Sequence, residues 1–125
     1  MDDGKGPFLL KIVSRYGLAA LFLCSGTLHF VAPEVFVRIV PPILPWPGAL
    51  VAISGAAEIA GAVGLLTVRW RRLAAYGLIA LLIAVFPANV YMAMQRMMFP
   101  EWVLWARLPL QFLLIWWVWV TGRVR

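Results

Sequence analysis

The chain has 125 residues, of which 64% are hydrophobic and 13% are charged, and its formal net charge is +6. A soluble domain is nearer half apolar and a quarter charged, so this composition argues against a soluble enzyme, a nucleic-acid-binding module and a disordered segment. The length suits one domain. We therefore expect a single membrane domain over residues 1–125, with the lipid bilayer as its main surrounding and no nucleic acid as a partner.

Four apolar stretches meet or approach the roughly 18 residues that a membrane-spanning helix needs. They predict an all-α, integral membrane bundle of four transmembrane helices. Pro33 ends the first helix, while Pro87 and Pro109 lie inside the third and fourth, where each frees the carbonyl four residues earlier. The predicted helices cover about residues 12–32, 49–68, 73–95 and 102–121.

A proline-rich segment, residues 33–48, joins the first two predicted helices. Its five prolines exclude a long helix, yet it is too apolar to lie free in water. We predict an interfacial loop with one short helical turn around residues 35–40. The loop is either a hydrophobic cap on the bundle or a lid over a binding site.

Basic residues are distributed unequally between the two predicted ends of the bundle, eight against three. Because lysine and arginine in short loops favour the cytoplasmic side, both termini are predicted to be cytoplasmic in the cell inner membrane. The larger group is Lys5, Lys11, Arg15, Arg69, Arg71, Arg72, Arg123 and Arg125, and the smaller group is Arg38, Arg96 and Arg107.

Thiol chemistry and metal binding find little support in the sequence. The lone cysteine, Cys24, cannot form an intrachain disulfide or a CxxC pair. One histidine and one cysteine make no usual metal site, so we predict none. Four methionines near one end are interpreted as packing residues, with a soft Cu(I) site as the alternative. These methionines are Met92, Met94, Met97 and Met98.

Polar residues inside the predicted spans concentrate in the half that lies away from the larger basic group. Counting about 1.5 Å per residue from the helix ends puts them between roughly 5 and 14 Å deep in a core of about 30 Å. The other half has almost no polar group. The residues singled out as candidates for a ligand or proton site are His29, Glu58, Asn89, Arg107 and Gln111.

Helical spacing places some of these residues on common faces. Ser25 with His29, Ser54 with Glu58 and Arg107 with Gln111 are pairs four residues apart. A charge facing lipid at this depth costs about 3 kcal/mol, so the faces are predicted to point inward around one polar chamber. Glu58 and Arg107 are then either a structural ion pair or a proton-handling carboxylate beside a ligand-binding cation. His29 is either an interfacial residue or a proton carrier, and Asn89 and Gln111 are either interhelical links or ligand contacts.

Several short motifs resemble the DoxX-like membrane proteins. They include residues 26–34, ending in Pro33-Glu34, the Ser54-Gly55-x-x-Glu58 stretch, and the segments 86–92 and 107–111. The similarity covers about residues 14–121. The resemblance implies a small four-helix inner-membrane protein, some of whose relatives are redox-linked subunits and others assembly factors.

Three functions follow as hypotheses. The first is a redox-linked membrane subunit that holds a quinone in the chamber and works with a redox partner protein. The second is a non-enzymatic assembly factor or scaffold in which the Glu58–Arg107 pair is structural. The third is a small transporter, which four helices would support only as a homo-oligomer.

Overall fold

A computed structural model describes residues 6–38, 40–95 and 100–123, and within these ranges the protein is helical with no strand. Four of the helices are long and apolar enough to cross a membrane. The predicted all-α class is therefore confirmed, together with the prediction of four helices that are long and apolar enough to span a membrane. Lys5, Arg96, Met97, Met98 and Arg125 lie outside the described residues. The helices are α1 (Gly6–Val31), α2 (Pro33–Val37), α3 (Pro47–Leu65), α4 (Arg71–Met94) and α5 (Glu101–Arg123).

Each long helix starts one to six residues earlier than the sequence prediction, because hydropathy locates only the apolar part of a helix. Helix α1 begins at Gly6 instead of residue 12, so it carries Lys11 and Arg15 within its first turns. Helix α4 begins at Arg71 instead of residue 73. There the Arg71 Nε donates a hydrogen bond of 2.7 Å to the carbonyl of Leu65, the last residue of α3. A cation bound to a helix C-terminus is favourable, so Arg71 closes α3 as well as opening α4.

The long helices form a ring in the order α1, α3, α4, α5. Helix α3 packs against α1, α2 and α4, helix α4 packs against α5, and α1 meets α5 over a short stretch. One link between α1 and α5 is the hydrogen bond of 2.6 Å that the Trp117 Nε1 donates to the Ser14 Oγ. Helix α2 lies at one end of the ring, here called the α2 end. The other end, formed by the start of α1, the α3–α4 turn and the end of α5, is called the basic end.

Tight packing is concentrated in the half of the bundle at the basic end. Apolar side chains from all four long helices form one buried cluster there. This cluster buries apolar side chains and backbone in the half at the basic end. The half at the α2 end is less densely packed. The members of the cluster are Leu18, Ala19, Phe22, Ala62, Leu65, Ala75, Leu78, Leu82 and Val118.

Helices α1 and α3 cross at two glycines. A Cβ on Gly26 would lie 2.7 Å from the Gly55 carbonyl oxygen, and a Cβ on Gly55 would lie 2.6 Å from the His29 Cβ. No side chain larger than hydrogen fits there without moving a backbone. Small residues allow this close approach, and the resulting van der Waals contacts stabilise helix pairs in lipid.

The outer surface of the ring is apolar on every long helix. Large hydrophobic side chains are exposed along α1 (Val13), α3 (Ile53), α4 (Ile83) and α5 (Phe112). A water-soluble monomer rarely exposes apolar surface of this extent. The exposed faces and the helix lengths together fit the hydrocarbon core of a membrane.

The glycine crossing generates the first prediction. In a helix, Gly→Ala alone stabilises by about 1 kcal/mol, but at Gly55 the added methyl group would collide with α1. We expect Gly55→Ala to lower the unfolding temperature in detergent, measured by circular dichroism. Gly77→Ala is the matched control, since a Cβ there has nothing within 4 Å, and it should leave the unfolding temperature unchanged or raise it. Equal stability of the two variants would contradict the close crossing.

Candidate functional site

A cavity of about 620 Å³ occupies the α2 half of the bundle. All four long helices contribute to its walls, and Phe36 of α2 together with Pro41 and Leu44 of the following segment lines it at the α2 end. Phe22 and Leu82 belong both to the packed cluster and to the cavity lining, so they form its floor. Most of the lining is apolar. Volumes of about 300–1,000 Å³ with a few polar groups are typical of small-molecule sites.

The polar groups of the cavity include every candidate residue from the sequence. Helix α1 contributes His29, helix α3 contributes Glu58, helix α4 contributes Asn89, and helix α5 contributes Arg107 and Gln111. Two serines, Ser25 and Ser54, line the cavity as well. The structure thus brings these residues around one space, but it divides them into separate groups of contacts.

The first group joins α1 to α3 through the Glu58 carboxylate. The Ser25 Oγ donates to this carboxylate, at 3.0 Å from Oε1 and 3.2 Å from Oε2. The His29 Nδ1 lies 3.2 Å from the Glu58 Oε2 and 2.7 Å from the Ser25 carbonyl oxygen. The His29 and Glu58 side chains are only 11% and 12% exposed. The Ser25 hydroxyl therefore donates to the carboxylate, and the Nδ1–H of His29 lies between the carboxylate and the Ser25 carbonyl, so polar partners surround a group that is shielded from water.

The contacts of His29 assign its ring protons. A carbonyl oxygen can only accept a hydrogen bond, so the Nδ1 that faces the Ser25 carbonyl must carry a proton. In the neutral ring the other nitrogen, Nε2, is then an acceptor.

Phe36 stacks on His29, with ring centroids 3.9 Å apart and planes inclined by 20°. The stacking joins α2 to the α1–α3 crossing and covers the imidazole on one face. The sequence did not identify Phe36 as a site residue, because helical spacing does not predict the direction of the chain after Pro33. The short helix itself was predicted, although it ends at Val37 rather than near residue 40.

Arg107 lies on another wall of the cavity. Its Nη1 donates to the Met92 Sδ at 3.7 Å, and a thioether is a weak acceptor. Among the described residues Arg107 forms no ion pair, so the Glu58–Arg107 ion pair, one of the two alternatives for these residues, is not present. The physical reason is the ring order: α3 and α5 are diagonal neighbours across the cavity, and Glu58 faces α1. Arg107 lines the cavity.

Asn89 and Gln111 form the second group of contacts and join α4 to α5. The Asn89 Nδ2 donates to the Gln111 Oε1, and the Gln111 Nε2 donates to the Leu82 carbonyl oxygen. Leu82 precedes Ile83, the residue whose carbonyl loses its helical partner at Pro87. Gln111 is buried. Both amides therefore link α4 to α5 beside the break that Pro87 makes in α4. Both also border the cavity.

Metal ligands do not converge in the part of the chain that the structure describes. No group of three or more histidine, cysteine, aspartate or glutamate side chains occurs in these ranges. Cys24 is exposed on α1. Met92 is buried against Ala93 and Leu104, and its sulfur accepts a hydrogen bond from Arg107.

Comparison with known families then gives the classification. The family model described as "Domain of unknown function (DUF8561)" matches residues 18–122, which include all of the cavity lining. The chain belongs to the DUF8561 family. No curated protein sequence and no solved structure matches it.

The DUF8561 match corrects the resemblance to DoxX-like proteins, which was wrong. Short motifs of glycine, proline and one polar residue recur wherever a small membrane bundle needs close helix contacts and internal hydrogen bonds. Motifs such as Ser54-Gly55-x-x-Glu58 therefore report the packing of this DUF8561 protein and not its family.

The serine contacts of the site generate the second prediction. Ser25→Ala removes the hydroxyl donor of the Glu58 carboxylate, and interhelical hydrogen bonds in membranes contribute about 0.6–2 kcal/mol. We expect Ser25→Ala to lower the unfolding free energy in detergent by about that amount. Ser54→Ala is the matched control, since the Ser54 Oγ has no hydrogen bond with the described residues. Equal losses of unfolding free energy in Ser54→Ala and Ser25→Ala would show that the Ser25–Glu58 hydrogen bond itself contributes no stability.

Proposed function

We propose that this DUF8561 protein is a multi-pass protein of the cell inner membrane with both termini in the cytoplasm. The distribution of cations along the described helices supports this orientation, because arginine and lysine favour the cytoplasmic side of a membrane. At the α2 end the described cations are Arg38 and Arg107. At the basic end they are Lys11, Arg15, Arg69, Arg71, Arg72 and Arg123.

Labelling of single cysteines tests the orientation. In a Cys24→Ala background, Arg38→Cys should react with a membrane-impermeant maleimide in intact cells. Thr67→Cys, in the α3–α4 turn, should react only after the membrane is permeabilised. Each residue is exposed, so access to the reagent depends on the side of the membrane. The opposite pattern would reverse the proposed topology.

We propose that the cavity binds a lipid-soluble ligand of the quinone class and that the protein is a redox-linked membrane subunit. One observation carries this proposal: a mainly apolar cavity of about 620 Å³ has the Arg107 guanidinium on one wall and the His29–Glu58 pair on others. An isoprenoid quinone has an apolar ring and tail with carbonyl oxygens as its polar groups. A ligand of this kind matches both the apolar lining and the charged donor.

The chemistry of the proposal assigns different tasks to the charged residues. Arg107 donates hydrogen bonds to a carbonyl oxygen of the ligand. These bonds are strong in an apolar site because the donor is charged. Reduction of a quinone to a quinol takes up two electrons and two protons. The His29 Nε2 and the Glu58 carboxylate are the groups that exchange protons, and a redox partner protein supplies or accepts the electrons.

The Glu58 contacts favour this function over that of an assembly factor or scaffold. The second hypothesis relied on a structural ion pair between Glu58 and Arg107, and Glu58 pairs with His29 instead. Arg107 is then a cation beside the cavity whose described polar contact is a thioether sulfur. A buried cation is costly in hydrocarbon, so a ligand oxygen would stabilise it.

Quinone content of the purified protein tests the proposed ligand. We expect mass spectrometry of organic extracts to find one quinone per chain in the wild-type protein. Arg107→Gln and Glu58→Gln should each lower the retained quinone about tenfold or more, since hydrogen bonds to charged groups contribute about 1.5–3 kcal/mol. The amide oxygen of glutamine at position 58 can still accept a hydrogen bond from the Ser25 hydroxyl, so this variant should fold.

Arg38→Gln is the matched control for these variants, because Arg38 is an exposed cation at the α2 end that does not line the cavity. It should retain the quinone at the wild-type level. A wild-type protein without quinone, in membranes that contain it, would overturn the proposed ligand and favour the assembly function. Equal retention by folded Glu58→Gln protein would remove the proposed role of Glu58.

A further inference from the structure

The cavity reaches the outer surface of the bundle between α1 and α5. Leu21 of α1 and Leu110 of α5 both line the cavity. They are also 47% and 55% exposed, respectively. A side chain that borders both an internal space and the surroundings marks a place where little or nothing else separates the two. These two leucines therefore border a lateral opening, here called the α1–α5 opening.

Helical geometry places the two leucines opposite each other. Helices α1 and α5 run in opposite directions, and the hydrogen bond between Trp117 and Ser14 joins them near the basic end. Leu21 lies seven residues from Ser14, and Leu110 lies seven residues from Trp117, in each case toward the α2 end. At about 1.5 Å per residue, both leucines are thus about 10 Å from that hydrogen bond along the helix axes. They share one level, near the middle of each span.

Packing between α1 and α5 is the weakest among neighbouring long helices. These two helices meet over a short stretch, whereas α1 with α3, α3 with α4 and α4 with α5 are in extended contact. Fewer side-chain contacts are therefore lost when an apolar chain passes between α1 and α5. In a bilayer the surroundings at this level are hydrocarbon, so such a chain would remain in apolar contact along its whole path.

The polar groups of the proposed ligand site lie about one helical turn from the α1–α5 opening. Ser25 is four residues after Leu21, and Arg107 is three residues before Leu110, so both are nearer the α2 end by about 5 Å. The hydrogen bond from Ser25 holds the Glu58 carboxylate near the same level. A polar ring bound between Arg107 and Glu58 would thus have the opening beside it, on the side of the membrane middle.

A second exposed part of the cavity lining lies between α3 and α4. Ile53 of α3 and Ala84 of α4 line the cavity and are exposed. The polar side chains of these helices turn to other neighbours, since Glu58 contacts α1 and Asn89 contacts α5. The α1–α5 opening, in contrast, lies between the two helices that carry the imidazole and the guanidinium of the site. It is therefore the route that fits a ligand with a polar ring.

We propose that the cavity ligand carries one linear apolar chain and that this chain leaves the bundle through the α1–α5 opening. Leu21 and Leu110 contact the chain and determine specificity for it, while the polar groups of the cavity hold the ring. A cavity of about 620 Å³ has room for a ring and the first part of a chain, and the rest of the chain lies among the lipids. This inference rests on the proposed quinone site and specifies the class of ligand and its route.

Binding of two quinone probes to the purified full chain tests this route. One probe is a benzoquinone with a decyl chain, and the other has the same ring without a chain. Leu110→Trp and Leu21→Trp fill the opening, so each should weaken binding of the decyl probe about tenfold, the effect of overpacking at one position. Each should leave binding of the chainless probe unchanged. Bound probe is quantified by mass spectrometry and compared with the wild-type value for the same probe, so partition into detergent cancels.

Two further variants serve as comparisons. Leu113→Trp is the matched control, because Leu113 is 61% exposed on the same helix and does not line the cavity. It should change the binding of neither probe. Ile53→Trp narrows the exposed lining between α3 and α4, and it should weaken binding of the decyl probe less than Leu110→Trp does.

Three results would overturn the proposed route. Equal weakening of both probes by Leu110→Trp would show that tryptophan disturbs the ring site. Unchanged binding of the decyl probe by both Leu110→Trp and Leu21→Trp would show that the chain does not pass these leucines. Loss of the decyl probe in Ile53→Trp alone would place the chain between α3 and α4. A wild-type protein that binds neither probe would instead overturn the proposed quinone site, and this inference with it.

Discussion

The close crossing of α1 and α3 at Gly26 and Gly55 is the contact on which the candidate site depends. Because both residues lack a side chain, the helix backbones approach until the Gly26 carbonyl and the His29 Cβ lie against Gly55. This approach brings Ser25 and His29 within hydrogen-bond distance of Glu58. In hydrocarbon a carboxylate needs such partners. The two glycines therefore contribute packing energy and also allow hydrogen-bond partners to stabilise the buried Glu58.

A second property of the bundle is the unequal filling of its two halves. The basic end is closed by tightly packed side chains, including Leu18, Leu78 and Val118, while the α2 half encloses a cavity. Dense packing stabilises the ring at the basic end, and the glycine crossing of α1 and α3 stabilises it beside the cavity. The less densely packed half contains the polar groups and the internal space that a ligand site needs.

Polar groups in the hollow half satisfy one another in two separate sets. One set links α1 to α3 around Glu58, and the other links α4 to α5 through Asn89 and Gln111. Arg107 belongs to neither set and contacts a thioether. The amides hold two helices together beside a proline break, whereas the proposed function assigns the His29–Glu58 pair and Arg107 to the cavity ligand.

Much of the fold and the membership of the site could be predicted from the sequence, since hydropathy, prolines and the depth of polar residues depend on local composition. These features predicted the four helices and selected His29, Glu58, Asn89, Arg107 and Gln111, all of which line one cavity. They did not predict which residues pair. Helical periodicity defines the face on which a side chain lies, but the rotation and neighbours of each helix depend on packing between helices far apart in the chain. The sequence by itself thus determined the helices and the polar set. Only the tertiary structure decided that Glu58 pairs with His29 across two glycines, and that Arg107 remains apart on the far side of the cavity.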